Sequence, residues 1–126
     1  MTSKQLAKQI SELFLEKKGM EIRIMDLTGL TTMTDYFVIC SAGSDTQVKA
    51  LAEHVTKETD KIDERPWHNE GNTNFNWVLL DFVNVVAHIF LPETRKFYNL
   101  EGLWADAKIT DVFDKPAPKE KIKSKK

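Results

Sequence analysis

The chain has 126 residues, of which 41% are hydrophobic and 29% are charged, and its formal net charge of −1 fits one globular domain. One cysteine, Cys40, excludes an internal disulfide and an all-cysteine zinc site, and with three histidines we expect no metal-centred function. No apolar run approaches the ~20 residues of a membrane span, and the N-terminus lacks the apolar segment of a secretion signal, so we expect a cytoplasmic protein.

A first helix and a first strand are predicted near the N-terminus. Four apolar residues recur on one helical face: Leu6, Ile10, Leu13 and Phe14. Thr2 and Gln5 have the spacing of a capping box, and Gly19 is predicted to cap the end of this helix. Residues 21–26 alternate in polarity, which is typical of a strand at the edge of a sheet.

A buried strand and a second helix follow. Residues 36–40 are consecutive apolar residues, a pattern typical of a short strand that is covered on both faces. Ser44 is predicted to cap the next helix, with Gln47 in the reciprocal position of a capping box. The helix is predicted to end near Asp60. Its apolar stripe consists of Val48, Leu51, Ala52 and Val55.

A hairpin is predicted in the second half of the chain. Residues 76–82 and 85–90 have the composition of two strands, and Val83 and Asn84 separate them. Because asparagine tolerates a positive φ and valine does not, we expect Val83 at the first central position of the turn and a left-handed Asn84.

Two short helices are predicted after the hairpin. Pro92 suits the first turn of a helix that runs to about Tyr98. Residues 100–107 predict a further helix. The apolar side of this second helix is predicted to consist of Leu100, Leu103 and Trp104.

The charges are divided unequally along the chain. Residues 114–126 hold six lysines and two acidic residues, so they carry +4 and residues 1–113 carry −5. This lysine- and proline-rich tail has no core pattern and is predicted to be disordered. Its composition suits both a weak contact with RNA phosphates and a solubilising role. We therefore predict one α/β domain over residues 1–113, with a mixed β-sheet flanked by helices, followed by the tail.

Three patterns suggest chemistry, and each has a structural explanation. The turn before Ser44 could bind a phosphate, or Ser44 could only cap its helix. The same junction resembles that of nucleotidyltransferases, but the later strands carry one carboxylate, Asp81, which is too few for a two-metal site. Cys40 with His54 or His88 would form a nucleophile–base pair, although a cysteine in an apolar strand is commonly a small hydrophobic residue. A divergent nucleotidyltransferase-like or nucleotide-binding protein stays open as the alternative function.

Aromatic residues are concentrated in the second half of the chain. Tryptophan and tyrosine commonly anchor protein interfaces, although most such residues must belong to the core. In a strand, Trp77 would share one face with Leu79 and Asp81, and this pattern suggests a protein-binding patch on the hairpin. His88 fits either a hydrogen-bonded structural residue or an exposed recognition residue.

Four sequence blocks carry a resemblance to a known family. They are TDYFVICSA (34–42), SDTQVKALA (44–52), WVLLD with VVAHIF (77–90) and RKFYNLEGLW (95–104). In this order they resemble the ribosomal silencing factor family, RsfS, which includes the Iojap-related proteins. The resemblance implies a nucleotidyltransferase-like core that lacks the catalytic carboxylates, no enzymatic activity and no cofactor.

The resemblance also implies partners and contact residues. It implies a homodimer when free, and binding to the large ribosomal subunit through its fourteenth ribosomal protein, at the face that meets the small subunit. Bound there, the factor would block subunit joining and repress translation when nutrients are limited. The residues of the matching blocks that we expect to contact the ribosomal protein are Trp77, Asp81, His88, Tyr98, Glu101 and Trp104. The family usually has Gly-Asp where this chain has Val83 and Asn84, which changes the turn and any contact there.

Overall fold

The computed structural model describes residues 1–71 and 73–113, so the predicted tail at 114–126 lies outside the described residues. The described part of the chain forms four helices and six strands. In chain order these are α1 (Ser3–Glu16), β1 (Met20–Asp26), β2 (Tyr36–Ser41), α2 (Asp45–Lys61), β3 (His68–Glu70), β4 (Trp77–Asp81), β5 (Val85–Phe90), α3 (Pro92–Tyr98), α4 (Leu100–Leu103) and β6 (Lys108–Val112).

The strands form one mixed sheet, as the sequence predicts. Their order is β3-β4-β5-β2-β1-β6. β2 and β5 pair in parallel, and the other neighbouring strands pair antiparallel. The parallel pair lies at the centre, where a strand is covered on both faces. This position explains the unbroken apolar run that forms β2.

Two apolar clusters lie on opposite faces of the sheet. The larger cluster packs α1 and α2 against one face and includes Phe14, Val38, Leu51 and Ile89. The smaller cluster lies on the other face. Its buried members are Met25, Leu27, Ile39, Phe90 and Ala107, and the half-buried Phe37, Trp77, Leu100 and Trp104 pack against them. The second face is therefore covered incompletely, mainly by aromatic side chains.

The start of α1 is confirmed, but its predicted end is wrong. Thr2 Oγ1 accepts from the Gln5 N–H at 3.1 Å, and Gln5 Oε1 accepts from the Thr2 N–H at 2.9 Å, which completes the capping box. The left-handed residue after the helix is Lys18, with φ of 63°. The Gly19 N–H donates to the Phe14 carbonyl at 2.8 Å, and a Cβ on Gly19 would lie 3.1 Å from that oxygen. Gly19 therefore allows the backbone to approach Phe14 closely, and the turn itself is made by the preceding residue, Lys18.

The cap of α2 is confirmed with one difference. Ser44 Oγ accepts from the Gln47 N–H at 3.2 Å, as predicted. Gln47 Oε1, however, accepts from the Gly43 N–H at 2.7 Å, one residue before the reciprocal position. The helix ends at Lys61, one residue after the predicted end.

The prediction that the first strand lies at an edge is wrong. β6 pairs with β1 from Ile22↔Val112 to Asp26↔Lys108, so β1 is an inner strand. β6 and β3 are the two edges of the described sheet, and both consist mainly of exposed residues. The sequence allows for a strand between α2 and the hairpin, where β3 lies. It does not indicate β6, because an edge strand without a buried face gives no apolar alternation.

The hairpin is confirmed, but its predicted turn geometry is wrong. Val83, not Asn84, has the positive φ, at 76°. The Asn84 N–H donates to the Phe82 carbonyl at 3.0 Å, which closes a tight turn around Val83. The Asn84 carbonyl accepts from the N–H groups of Asp35 and Tyr36, at 2.9 and 3.2 Å. Asn84 is thus held by the start of β2, and Val83 adopts the unfavourable positive φ.

The predicted last helix is shorter than expected. α3 spans the predicted Pro92–Tyr98, and the left-handed Asn99 ends it. α4 has four residues, Leu100–Leu103, and its predicted apolar side is wrong for Leu103, which is 73% exposed. Leu100 and Trp104 do pack, on the cluster of the open sheet face.

Candidate functional site

The open face of the sheet carries a continuous set of aromatic side chains. We define the aromatic face as Phe37, Trp77, His88, Phe90, Phe97, Tyr98 and Trp104. The antiparallel register places Trp77 opposite Phe90, Leu79 opposite His88 and Asp81 opposite Val86. The prediction that Trp77, Leu79 and Asp81 share one face is therefore confirmed, and it is the face opposite α1 and α2.

Trp77 is the centre of the aromatic face. Its ring stacks on Phe90, with centroids 4.9 Å apart, and contacts Tyr98 at 4.6 Å. Its Nε1–H donates to His88 Nδ1 at 3.1 Å. The indole is thus packed on the sheet, and the residue as a whole is half-buried.

His88 lies beneath Trp77 and is only 3% exposed. Burial lowers the pKa of His88 to about 3, so the ring is neutral near pH 7. Nδ1 accepts from Trp77 and therefore carries no proton, which places the proton on Nε2. Of the two interpretations from the sequence, this geometry supports the hydrogen-bonded structural residue.

Tyr98 and Phe97 extend the aromatic face toward solvent. Tyr98 is 49% exposed and Phe97 is 81% exposed, and their rings meet edge to face at 5.1 Å. With Trp77 they border a shallow cleft of about 520 Å³ that Asn74, Asn76, Glu93 and Thr94 also line. Phe97 is absent from the residues expected from sequence. The sequence did place Phe97 beside Tyr98 in the RKFYNLEGLW block. Helical spacing, however, does not show which side chains of that block are exposed.

Glu101 is engaged within the chain. Its carboxylate accepts from Arg95 at 2.9 and 3.3 Å and from Arg23 at 2.9 Å. Although partial burial alone would raise the pKa of Glu101, hydrogen bonds and charge from Arg95, together with Arg23, hold it below its usual value. Arg95 also donates to the Glu21 carbonyl and to Ser41 Oγ, at 2.8 and 2.9 Å. This network fixes α3 and α4, and hence Tyr98, against the end of the sheet.

The remaining expected contacts lie at the margins of the aromatic face. Asp81 ends β4, where its Oδ1 accepts from the Val83 N–H at 2.7 Å. Trp104 is half-buried and contacts Phe37 edge to face at 6.4 Å. The structure thus brings Trp77 into contact with both His88 and Tyr98. Trp104 is linked to His88 through Phe37, and Asp81 lies at the end of β4.

The candidate catalytic groups are used structurally. Cys40 is fully buried, and burial raises the pKa of its thiol. His54 Nε2 lies 2.8 Å from Glu16 Oε1, so this ring is paired with a carboxylate. Over residues 1–71 and 73–113, no group of three or more His, Cys, Asp or Glu could hold a metal ion. Within the same ranges, no helix is long and apolar enough to cross a membrane.

Comparison with known families decides the assignment. The family model described as "Ribosomal silencing factor during starvation" matches residues 1–126. The chain belongs to the ribosomal silencing factor family. This confirms the resemblance seen in the sequence blocks, and it assigns the general function of ribosomal silencing, which is that of a ribosome-associated regulatory factor.

Named relatives and solved structures agree with this membership. Ribosomal silencing factor RsfS of Bacillus subtilis is 35% identical over 112 residues, which cover 89% of this chain and 95% of that protein. Chloroplastic protein Iojap of Zea mays is 36% identical over 102 residues, which cover 81% of this chain and 42% of that protein. A crystal structure of a Chromobacterium violaceum protein superposes with a TM-score of 0.81 at 30% identity, covering 94% of this chain and 98% of that one. The predicted single-domain α/β fold with a mixed sheet is thereby confirmed.

Proposed function

We propose that this silencing factor binds the large ribosomal subunit through the aromatic face and blocks its association with the small subunit. The partner in this proposal is the fourteenth ribosomal protein of the large subunit, at the face where the subunits meet. The result is repression of translation when nutrients are limited. The observation that carries the proposal is the exposed pair Phe97 and Tyr98 beside the half-buried Trp77.

The aromatic face has the physical properties of a protein-docking surface. Large aromatic side chains that stay exposed in a folded domain are enriched at the centres of interfaces, where they bury much area at little entropy cost. Trp77 is half-buried and its ring is already packed on Phe90 and Tyr98, so it needs little ordering on binding. Phe97 has nearly its whole side chain available for burial.

Charge supports a basic protein as the partner. Residues 1–113 carry −5, and carboxylates lie around the aromatic face: Glu93 lines its cleft, and Glu70 lies opposite Leu79. Asp81 adds a third carboxylate at the hairpin. Opposite charge at the rim of an interface mainly raises the association rate and the specificity. Glu101 contributes less than the sequence suggested, because Arg95 and Arg23 already neutralise it.

The mechanism in this proposal is occupancy. A factor that binds free large subunits, but not joined ribosomes, shifts the joining equilibrium by mass action. No bond is made or broken, so neither a catalytic residue nor a cofactor is needed. The name of a mouse relative, 33% identical over 95 residues, is "Mitochondrial assembly of ribosomal large subunit protein 1", which concerns the same subunit.

The remaining expectations belong to the same proposal. The protein acts in the cytoplasm, is a homodimer when free, and its tail at 114–126 makes a weak contact with ribosomal RNA. Equilibrium sedimentation tests the dimer. Comparing the full chain with a chain ending at residue 113 tests the tail, whose removal should weaken subunit binding only modestly and reduce its salt dependence.

The test of the docking surface is co-sedimentation with ribosomal subunits. The wild-type chain should travel with large subunits and reduce the amount of joined ribosomes. Trp77→Ala should weaken this binding by about 30-fold or more, as expected for a central anchor worth ~2 kcal/mol. Phe97→Ala should also weaken it, and this exposed position spares the fold.

Trp67→Ala is the matched control, because Trp67 is 79% exposed but lies outside the aromatic face. Equal affinities of the Trp77→Ala, Phe97→Ala and wild-type chains would refute the docking surface. Absence of any binding to large subunits at moderate salt would refute the proposed function.

A further inference from the structure

We propose that His88 is a positioning residue, which selects the orientation of the Trp77 indole on the aromatic face through a single hydrogen bond. The consequence for ribosome binding rests on the proposed function, whereas the positioning itself rests only on the geometry of the two rings. Neither residue needs a ligand for this role.

Stacking alone does not define the orientation of Trp77. Phe90 and Tyr98 contact the indole at centroid distances of 4.9 and 4.6 Å, and such ring contacts restrict its tilt. A half-turn of the indole about its Cβ–Cγ bond would keep the ring stacked between the same neighbours but exchange its two edges. The bond from Trp77 Nε1–H to His88 Nδ1, at 3.1 Å, distinguishes these two states. One hydrogen bond to a part-buried donor favours one state by about tenfold.

The environment of His88 keeps Nδ1 available as an acceptor. The ring is 3% exposed and is enclosed by Phe37, Trp77 and Phe90, with centroid distances of 4.6, 5.8 and 5.9 Å. Its neutral form therefore persists, and Nδ1 remains unprotonated whenever Trp77 donates to it.

Packing alone does not account for a histidine at this position. In the described part of the chain, the buried Nε2 of His88 has no hydrogen-bond partner. A leucine or phenylalanine would fill this site between aromatic rings without leaving an unsatisfied polar atom. A histidine here leaves Nε2 without a partner, which is unfavourable. What it supplies in return is the hydrogen-bond acceptor for Trp77.

The experiment compares His88→Asn with His88→Leu. The two side chains have almost the same shape, and the asparagine amide oxygen lies where Nδ1 does, so the first variant keeps the acceptor and the second removes it. The readout is the indole N–H resonance of Trp77 in the ¹⁵N-labelled full chain, assigned by its loss in Trp77→Phe. We expect solvent exchange of this N–H to be about tenfold faster in His88→Leu and close to wild type in His88→Asn. His88→Phe serves as a second acceptor-free variant if His88→Leu does not fold.

Large-subunit affinity is the second readout. It should fall about tenfold in His88→Leu and be largely restored in His88→Asn. In a Trp77→Phe background, His88→Leu should have no further effect. Unchanged indole exchange in both acceptor-free variants would overturn the positioning role, and so would equal loss of affinity in His88→Asn and His88→Leu. If the wild type does not bind large subunits, the proposed function fails, and the exchange measurement still decides the role of His88.

Discussion

Lowering the pH should destabilise this protein through His88. Burial lowers the pKa of this side chain to about 3, against an ordinary value of 6.5 in the unfolded chain. Below pH 6.5 the unfolded chain therefore takes up a proton that the folded chain does not. The stabilising contribution is fully present above pH 6.5, and it decreases as the pH falls from 6.5 toward 3.

The size of the effect follows from the two pKa values. Between pH 6.5 and pH 5 the unfolded state gains about 1.4 kcal/mol per pH unit relative to the folded state. At pH 5 the free energy of unfolding should thus be about 2 kcal/mol lower than at pH 7.5 because of His88 alone. In a domain of ordinary stability, about 5–15 kcal/mol, this is a substantial fraction.

Urea unfolding at pH 7.5 and pH 5.0 measures the effect, in the wild type and in His88→Asn. The variant lacks the titrating ring, whereas every other group changes its protonation equally in both chains. The free energy of unfolding should fall by about 2 kcal/mol more in the wild type than in the variant. A pH dependence that is the same in both chains, within ~0.5 kcal/mol, would show that His88 is charged or hydrated in the folded state.

Three further predictions concern other residues. Val83→Gly should raise the free energy of unfolding in urea by about 1 kcal/mol. It relieves ~1–2 kcal/mol of backbone strain at a positive φ, and this exceeds the stability lost because glycine makes the unfolded chain more flexible. Val83→Ala keeps a Cβ and should give no comparable gain. Glu101→Ala should lower the free energy of unfolding by about 2 kcal/mol, because it leaves the buried Arg95 without its carboxylate partner; a loss below ~0.5 kcal/mol would contradict the stabilising role of the network. Cys40 should react with Ellman's reagent only as fast as the chain unfolds, because its thiol is buried and its pKa is raised; rapid reaction in native buffer would contradict the buried position.

Periodicity and capping chemistry predicted the elements that bury a face. α1 and α2 each bury one face, β4 alternates between half-buried and buried residues, and β5 is buried almost throughout. Thr2 and Ser44 have the local spacing of caps. β3 and β6 lie at the edges with exposed side chains, so no apolar pattern marks them. Such strands form by pairing with the backbone N–H and C=O groups that the neighbouring strand leaves unpaired at its edge.

Local preference failed where tertiary contacts decide. Valine resists a positive φ, yet Val83 adopts one because the carbonyl of Asn84 is held by the start of β2. The candidate site shows the same limit. The blocks of sequence identified Trp77 and Tyr98, but they could not show that Glu101 is neutralised by Arg95, which is six residues earlier in the chain and bound across α3 and α4.

The pairing of β6 with β1 has a consequence for biosynthesis. β1 is made early, but its outer neighbour is among the last described residues of the chain, at Lys108–Val112. At about 5–20 residues per second, β1 waits on the order of 10 s for this strand. During that interval β1 is an unprotected edge whose Ile22 and Ile24 can pair with other chains. A chain terminated before Lys108 should therefore aggregate more readily than the full chain.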